Sequence, residues 1–203
     1  MEKIIIVGNG YSLLNKKNGL LIDTFNKVVR MSNSVDKKGF SEYIGEKIDI
    51  YSALYYNVDS NIIKNVKTII NLPFVQLDFT QRIIRDFLED IKDYKENILH
   101  LANKDDYKIF KNIFKKYVKS EFKNDYIYSK FNNDFNFSLG FKTICYIKTL
   151  YPNSKVYVTG FDFFTTGAFW NENHNRHVSN HHNYIFEKLW YKKALKNKFI
   201  FEL

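Results

Sequence analysis

The sequence contains a single cysteine, Cys145, in 203 residues. No intramolecular disulfide can form, which fits a reducing compartment and a cytoplasmic location. Prolines are almost as scarce. Pro73 and Pro152 are the only two, and each borders a segment that reads as a strand. No repeat, linker or low-complexity tract interrupts the chain, so 1–203 is expected to be one domain. Long apolar runs are missing as well. Ile4-Ile5-Ile6-Val7 stops at Gly8, too short for a signal peptide or a membrane span and the right length for a buried strand. An arginine-rich arm and nucleic-acid-binding motifs are also absent. The formal net charge of +9 therefore predicts a surface that attracts anions, with no nucleic-acid partner specified.

What is present is apolar. Hydrophobic residues make up 45% of the chain and charged residues 26%, which excludes an intrinsically disordered polymer. Aromatic residues reach 18%, and much of that Phe and Tyr is expected in the core, because rings bury large areas.

Short β-rich runs alternate with helical periods. Ile4–Val7, Lys27–Met31, Ile48–Ala53, Thr68–Leu72 and Lys155–Gly160 read as strands, with Phe199–Leu203 as a closing edge strand. Helical spacing links Ile84, Phe87, Leu88, Ile91 and Tyr94, and again Phe110, Ile113, Phe114, Tyr117 and Val118. A third helix follows Gly140 and buries Ile144, Ile147 and Leu150. A fourth buries Ile185, Phe186, Leu189 and Trp190. The alternation predicts an α/β fold, a single Rossmann-like domain whose mostly parallel sheet is covered by helices. In such sheets ligands bind beyond the carboxyl ends of the strands.

Gly8-Asn9-Gly10-Tyr11-Ser12 directly follows the first strand. Glycines permit a tight turn and close backbone approach to a phosphate, and Asn9 and Ser12 add polar groups. The third glycine of the dinucleotide fingerprint is missing, and so is the Gly-Lys-Ser/Thr of a P-loop. A plain strand-to-helix turn is the competing reading. Ser138-Leu139-Gly140 opens the third helix. Its free N–H groups suit an anion, and Ser138 also suits an ordinary N-cap.

Four of the five histidines, His174, His177, His181 and His182, fall in one short stretch. Ser179 is a plausible N-cap, which puts His182 in the first turn of the last helix, where the positive helix end keeps the ring neutral, as a base must be. His182 also shares a helical face with Ile185, Phe186, Leu189 and Trp190. Glu187 reads either as an active-site group or as a carboxylate that supports packing. Two other readings stay open for the segment: a zinc site using His174, His177 and His181, and a polar surface loop. Lys108, Lys111, Lys115 and Lys119 form a stripe that reads as a solvated face, with peripheral contact to an anionic membrane surface, such as the inner face of the cell membrane, as the second reading.

These motifs resemble those of sialyltransferases. Ile4 to Ser12 is similar to the Gly-Asn-Gly-Pro-Ser opening of bacterial family 42, with Tyr11 in place of proline. Leu21 to Met31, followed by Ile44-Gly45-Glu46-Lys47, resembles the large sialylmotif of family 29. The family's asparagine position is Ser32 here, with Asn33 one residue later. Ser138-Leu139-Gly140, its helix and the following strand resemble the small sialylmotif. Gly160-Phe161-Asp162-Phe163-Phe164 resembles a Gly-Ile-Asp-Phe-Tyr segment of family 42. His182 with Glu187 resembles the His-x4-Glu motif.

The resemblance implies a sialyltransferase-type variant of the GT-A fold and an inverting transfer of sialic acid, or a related acidic sugar such as Kdo. The donor is a CMP-sugar and the acceptor a hydroxyl on a glycan or glycolipid. It implies His182 as the catalytic base and neutral donors around the leaving group, so that no metal or other cofactor is required. Nucleotide-sugar contacts fall to Gly8, Asn9, Gly10, Ser12, Ser32, Asn33, Ser138, Leu139, Gly140, Gly160, Asp162, Phe164 and Trp170. The last two stand where family 42 has phosphate-binding tyrosines. Leaving-group help then falls to Thr165, Thr166, Trp170 or a histidine. The alternatives are a catalytically weak nucleotide-binding protein and a metal-dependent hydrolase built on the histidines. Acceptor, linkage and oligomeric state are not encoded in these motifs.

Overall fold

The computed structural model describes residues 1–31, 39–53, 66, 68–71, 98–101, 104–118, 137–163, 165–169 and 184–203. In chain order these form β1 (Lys3–Val7), a 3-10 helix (Tyr11–Asn15), α1 (Gly19–Asp23), β2 (Lys27–Met31), α2 (Ser41–Ile44), β3 (Ile50–Ala53) and β4 (Thr68–Asn71). They continue with β5 (Ile98–Leu101), α3 (Lys104–Val118), α4 (Leu139–Leu150), β6 (Lys155–Thr159), α5 (Tyr184–Lys196) and β7 (Phe201–Glu202). Among the described residues one seven-stranded sheet has the order β5-β4-β3-β2-β1-β6-β7. Every pairing in it is parallel.

The continuous apolar run of β1 explains its central place. Ile4, Ile5, Ile6 and Val7 are all fully buried, and successive side chains of a strand point to opposite faces. Ile4 and Ile6 join the larger core with Phe110 of α3, Phe141 and Ile144 of α4, and Trp190 of α5. Ile5 and Val7 join the smaller core with Leu13, Ile22, Ile44 and Phe169. A strand clothed on both faces needs no polar alternation. Buried Cys145 lies in α4, and residues 141–147 of that helix are buried without a break.

The structure shifts several boundaries. The third strand starts at Ile50 rather than Ile48, β4 ends at Asn71, and β7 contracts to two residues. The periodicity argument misses β5 and the short α1 and α2. In α5 the inward face is Glu187, Trp190, Tyr191 and Ala194. Ile185, expected inside, is 65% exposed, because the buried stripe lies further round the helix. On α3, Lys108 is exposed and donates to Asp105 at 2.8 Å, whereas Lys111 and Lys115 are half-buried. The helical period over 84–94 and Lys119 lie outside the described residues.

The segment Leu21 to Met31 and the loop 44–47 form one clamp. Asp23 accepts from the backbone N–H of Glu46, at 2.9 Å, and of Lys47, at 2.9 Å. Arg30, 2% exposed, donates to the Lys47 carbonyl at 2.9 Å and the Ile44 carbonyl at 2.7 Å. Burial pushes its guanidinium down to about 10, and Asp23 pulls it back up. Lys47 Nζ in turn donates to the Phe25 carbonyl at 2.5 Å. A carboxylate and a guanidinium thus satisfy backbone groups that no regular element pairs, and buried backbone groups are costly when left unpaired.

Gly45 makes the clamp possible. Its φ is +71°, and a Cβ there would stand 2.3 Å from Asp23 Oδ1 and 2.7 Å from the Gly19 carbonyl. Gly45→Ala is therefore expected to cost about 1–3 kcal/mol, read as a lower denaturant midpoint with an unchanged slope. An unchanged midpoint would mean that the clamp does not hold this turn.

Candidate active site

Three chain segments meet at the carboxyl ends of β1 and β6. Strand order reverses between these two neighbours, which is where open α/β sheets form a crevice. The turn after β1 binds the turn after β6 directly. Gly8 N–H donates to the Thr159 carbonyl at 2.7 Å, and Gly10 N–H donates to the Gly160 carbonyl at 2.8 Å. A Cβ on Gly8 would lie 2.2 Å from the Gly160 oxygen, and one on Gly10 would lie 2.4 Å from Asp162 Cγ. On that side the two glycines serve the contact between turns, leaving no room for any larger residue.

Asp162 locks the same contact. One carboxylate oxygen accepts from Ser12 N–H at 2.9 Å and from the Thr166 hydroxyl at 2.5 Å. The other accepts from the Ser12 hydroxyl. The Thr165 hydroxyl donates to the Asp162 carbonyl at 2.5 Å. Ser12, Thr165 and Thr166 all direct their hydroxyl protons at Asp162. Asn9 is different. Its backbone carbonyl accepts from Phe169 N–H at 3.0 Å, but its side-chain oxygen is buried and has no partner among the described residues.

The third segment is the start of α4. Ser138 caps the helix, its hydroxyl oxygen accepting from Phe141 N–H at 3.2 Å. The first backbone bond of the helix runs from Lys142 N–H to the Ser138 carbonyl. The N–H groups of Leu139 and Gly140 precede it and carry the positive end of the helix dipole. Gly140 abuts Phe161, since a Cβ there would be 2.8 Å from the ring. Phe161 thereby connects the α4 turn to the paired turns of β1 and β6.

Glu187 secures this end of α4 to α5. Its carboxylate accepts from Ser138 N–H at 2.7 Å and from the Ser138 hydroxyl at 2.5 Å. It is 3% exposed, and Lys142 of α4 is 2% exposed. Burial pushes the Glu187 carboxyl up to about 7, against the downward pull of the Ser138 hydrogen bonds and the Lys142 charge. Burial likewise brings Lys142 down to about 8, against the pull of Glu187. Of the two readings the sequence left open for Glu187, the structure gives it the supporting role, holding the N-terminal turn of α4.

Gly8, Asn9, Gly10, Ser12, Ser138, Leu139, Gly140, Gly160 and Asp162 therefore gather around one crevice. Ser32, Asn33, Phe164, Trp170 and the histidines His174, His177, His181 and His182 lie outside the described residues. Met31, the last residue of β2, is the last described residue before Ser32 and Asn33. Sequence reasoning missed Lys142. Its signal was a lysine in the first turn of an otherwise apolar helix. Among the described residues no three His, Cys, Asp or Glu side chains stand close enough to hold a metal ion. No helix among them is long and apolar enough to cross a membrane.

Residues 1–199 match glycosyltransferase family 29 (sialyltransferase). No curated protein matches the chain by sequence. Two crystal structures of a mammalian sialyltransferase share the fold, one of them in complex with Gal-beta-1-3GalNAc-ortho-nitrophenol. Their TM-scores are 0.67 and 0.66 at 17% identity, over 100% of this chain and 68% and 69% of theirs. The apo alpha-2,3-sialyltransferase of Campylobacter jejuni aligns with a TM-score of 0.50 and 22% identity, over 95% of this chain and 72% of its own.

Glutamine at position 187 keeps the shape of the side chain but cannot ionise. Between the ordinary carboxyl value of 4.5 and the folded value of about 7, the folded chain holds more protons than the unfolded one. The group's contribution to stability is then complete below 4.5 and is lost as pH rises through about 7. Unfolding free energies of the wild type and Glu187→Gln are expected to diverge in the variant's favour across that range. Parallel pH profiles would show an unshifted carboxyl.

Proposed function

The chain belongs to glycosyltransferase family 29, the sialyltransferases, and on that premise we propose that it moves sialic acid, or a related acidic sugar such as Kdo, from a CMP-sugar to a glycan hydroxyl. The observation that carries this reading is the crevice between β1 and β6. There a buried Asn9 amide oxygen, without a partner among the described residues, stands in the turn bound to β6, and the first N–H groups of α4, which precede its first helical bond, reach the paired turns through Phe161. A nucleoside monophosphate offers a hydroxyl-rich ribose to the amide and an anion to the helix end. The single phosphate of such a donor needs neutral N–H donors and no divalent cation.

His182 acts as the general base in this reading. It lies five residues before Glu187 in the sequence, so it sits within about 18 Å of that anchor even at full chain extension. His182 removes the proton from the acceptor hydroxyl while the oxygen attacks the anomeric carbon from the face opposite CMP. The bond to the phosphate oxygen breaks, CMP departs with the electron pair, and the anomeric configuration inverts. Leu139 and Gly140 N–H groups meet the charge that develops on the leaving phosphate. Gly8, Gly10, Gly160 and Asp162 build the floor, with Ser12 locked to Asp162. Ser32 or Asn33 approaches the nucleoside from the end of β2. Thr165 and Thr166 are committed to Asp162, so the remaining help for the leaving group falls to Trp170, through its indole N–H, or to a histidine, Phe164 having no donor to offer.

CMP is expected to bind in the presence of EDTA and more tightly than UDP or ADP, as calorimetry would read. Asn9→Ala should weaken that binding by about 0.5–1.5 kcal/mol, the worth of a hydrogen bond between neutral groups. Ser138→Ala removes a hydroxyl that already serves Glu187, so it should act through the start of α4 and lower the melting temperature as well. Preference for UDP or ADP, or an absolute metal requirement, would overturn the donor assignment and return the histidines to a metal site.

His182→Ala is expected to lower transfer by about 10²–10⁴-fold while CMP affinity stays near that of the wild type. His181→Ala should be milder. Near-normal transfer by folded His182→Ala would remove it as the base.

A further inference from the structure

A cavity lies at the β7 edge of the sheet, with Phe161 in its wall. Its volume is about 400 Å³, within the range of small-ligand sites. It shares Ser12 and Asp162, which are bound to each other, with the crevice, whereas Gly8, Asn9, Ser138, Leu139 and Gly140 do not line it. Its walls come from Tyr11, Ser12 and Asn15 of the 3-10 helix, from the segment after β6, from α5 and from β7.

The walls are aromatic. Phe161 stacks on Tyr191 with ring centroids 5.9 Å apart and planes 25° apart, and Phe163 meets Tyr191 edge-on at 5.0 Å. Phe163 is held at φ +52°. A bulky side chain seldom occupies that region, and such backbone strain clusters at functional sites. The strain puts its ring on the cavity wall, where a flat apolar face can receive the C–H face of a sugar ring.

The charges are unequal in their availability. Asp162 accepts from Ser12 and Thr166. Glu202 is hydrogen-bonded to Tyr191, whose hydroxyl is raised in pKa by burial and by that carboxylate. Lys188 and Lys192 lie one helical turn apart on α5, and both line the cavity. Neither has an ion-pair partner among the described residues. Aromatic faces beside two uncommitted ammonium groups match a sugar that carries a negative charge.

Resting on the glycosyltransferase reading, we propose that this cavity is an adjoining subsite for an anionic sugar unit of the acceptor, a carboxylated or phosphorylated pyranose held by Lys188 and Lys192 against Phe163 and Tyr191. The subsite selects acceptors that already bear an acidic sugar. It predicts binding that weakens as salt rises and that is independent of the nucleotide crevice.

The test is saturation-transfer NMR titration of the whole chain with glucuronate, galactose 6-phosphate and galactose, each with and without excess CMP and with inorganic phosphate as a competitor. At least one anionic sugar should bind, and galactose should bind at least about tenfold more weakly, as should the Lys188→Gln/Lys192→Gln double variant with that anionic sugar. The two anionic sugars distinguish a carboxylate ligand from a phosphate one. Phe163→Gly suits the positive φ but removes a ring packed against the core, so the chain should still fold, at a lower melting temperature, while losing the sugar. CMP affinity, measured in the same variants, should not change. The proposal is overturned if neither anionic sugar binds, if galactose binds as well, if phosphate alone competes equally, if CMP displaces the sugar, or if the lysine variant binds normally. Sugar binding without CMP binding would instead count against the donor assignment and leave the cavity standing.

Discussion

A carboxylate with 3% exposure is costly to bury, and Glu187 is kept there by two donors from one residue. Ser138 supplies both its N–H and its hydroxyl, and Lys142 supplies a nearby positive charge. Removing either side would strand a polar group in a low-dielectric interior. The arrangement joins the start of α4 to α5, two segments 49 residues apart in sequence. The position of the α4 N–H groups in the crevice depends on this join.

A similar device operates on the other face of the sheet. Asp23 and Arg30 hold the loop 44–47 through backbone groups, so the large motif around them reads in this structure as a scaffold. The residues that face the crevice are fewer and come from turns. Asp162 belongs to both categories, since its carboxylate ties Ser12 and Thr166 together while its backbone borders the crevice. Polar side chains in a sequence motif thus divide between those that make the protein's shape and those that remain available to a ligand. Asn9, with its unpartnered amide oxygen, belongs to the second kind.

Much of this was legible in the sequence because the signals were strong. Ile4 to Val7 could only be a strand buried on both faces, and Lys27–Met31 was placed to the residue. Ser138 could be recognised as a cap before its partner was known. What stayed hidden depended on tertiary partners. The four residues of β5 carry too little pattern to stand out. Ile185 has the right spacing for a core residue yet is exposed, since hydrophobic periodicity locates a helix better than it fixes its rotation. Nothing local marks Lys142 or Glu187 as partners, because only the packing of α4 on α5 brings them together.

The parallel sheet sets an order of events on the ribosome. Strand β1 lies inside the sheet, and its register partners on one side run from Lys155 to Thr159. Parallel pairing cannot be made by a local hairpin. At synthesis rates of about 5–20 residues per second, the nascent Ile4–Val7 segment waits on the order of ten seconds for β6 to be made. Throughout that interval one edge of an apolar strand is open to other chains. The contact between the turns at Gly8 and Gly160 that closes the crevice is thus among the last to form, so the substrate site is completed only once nearly the whole chain has been made.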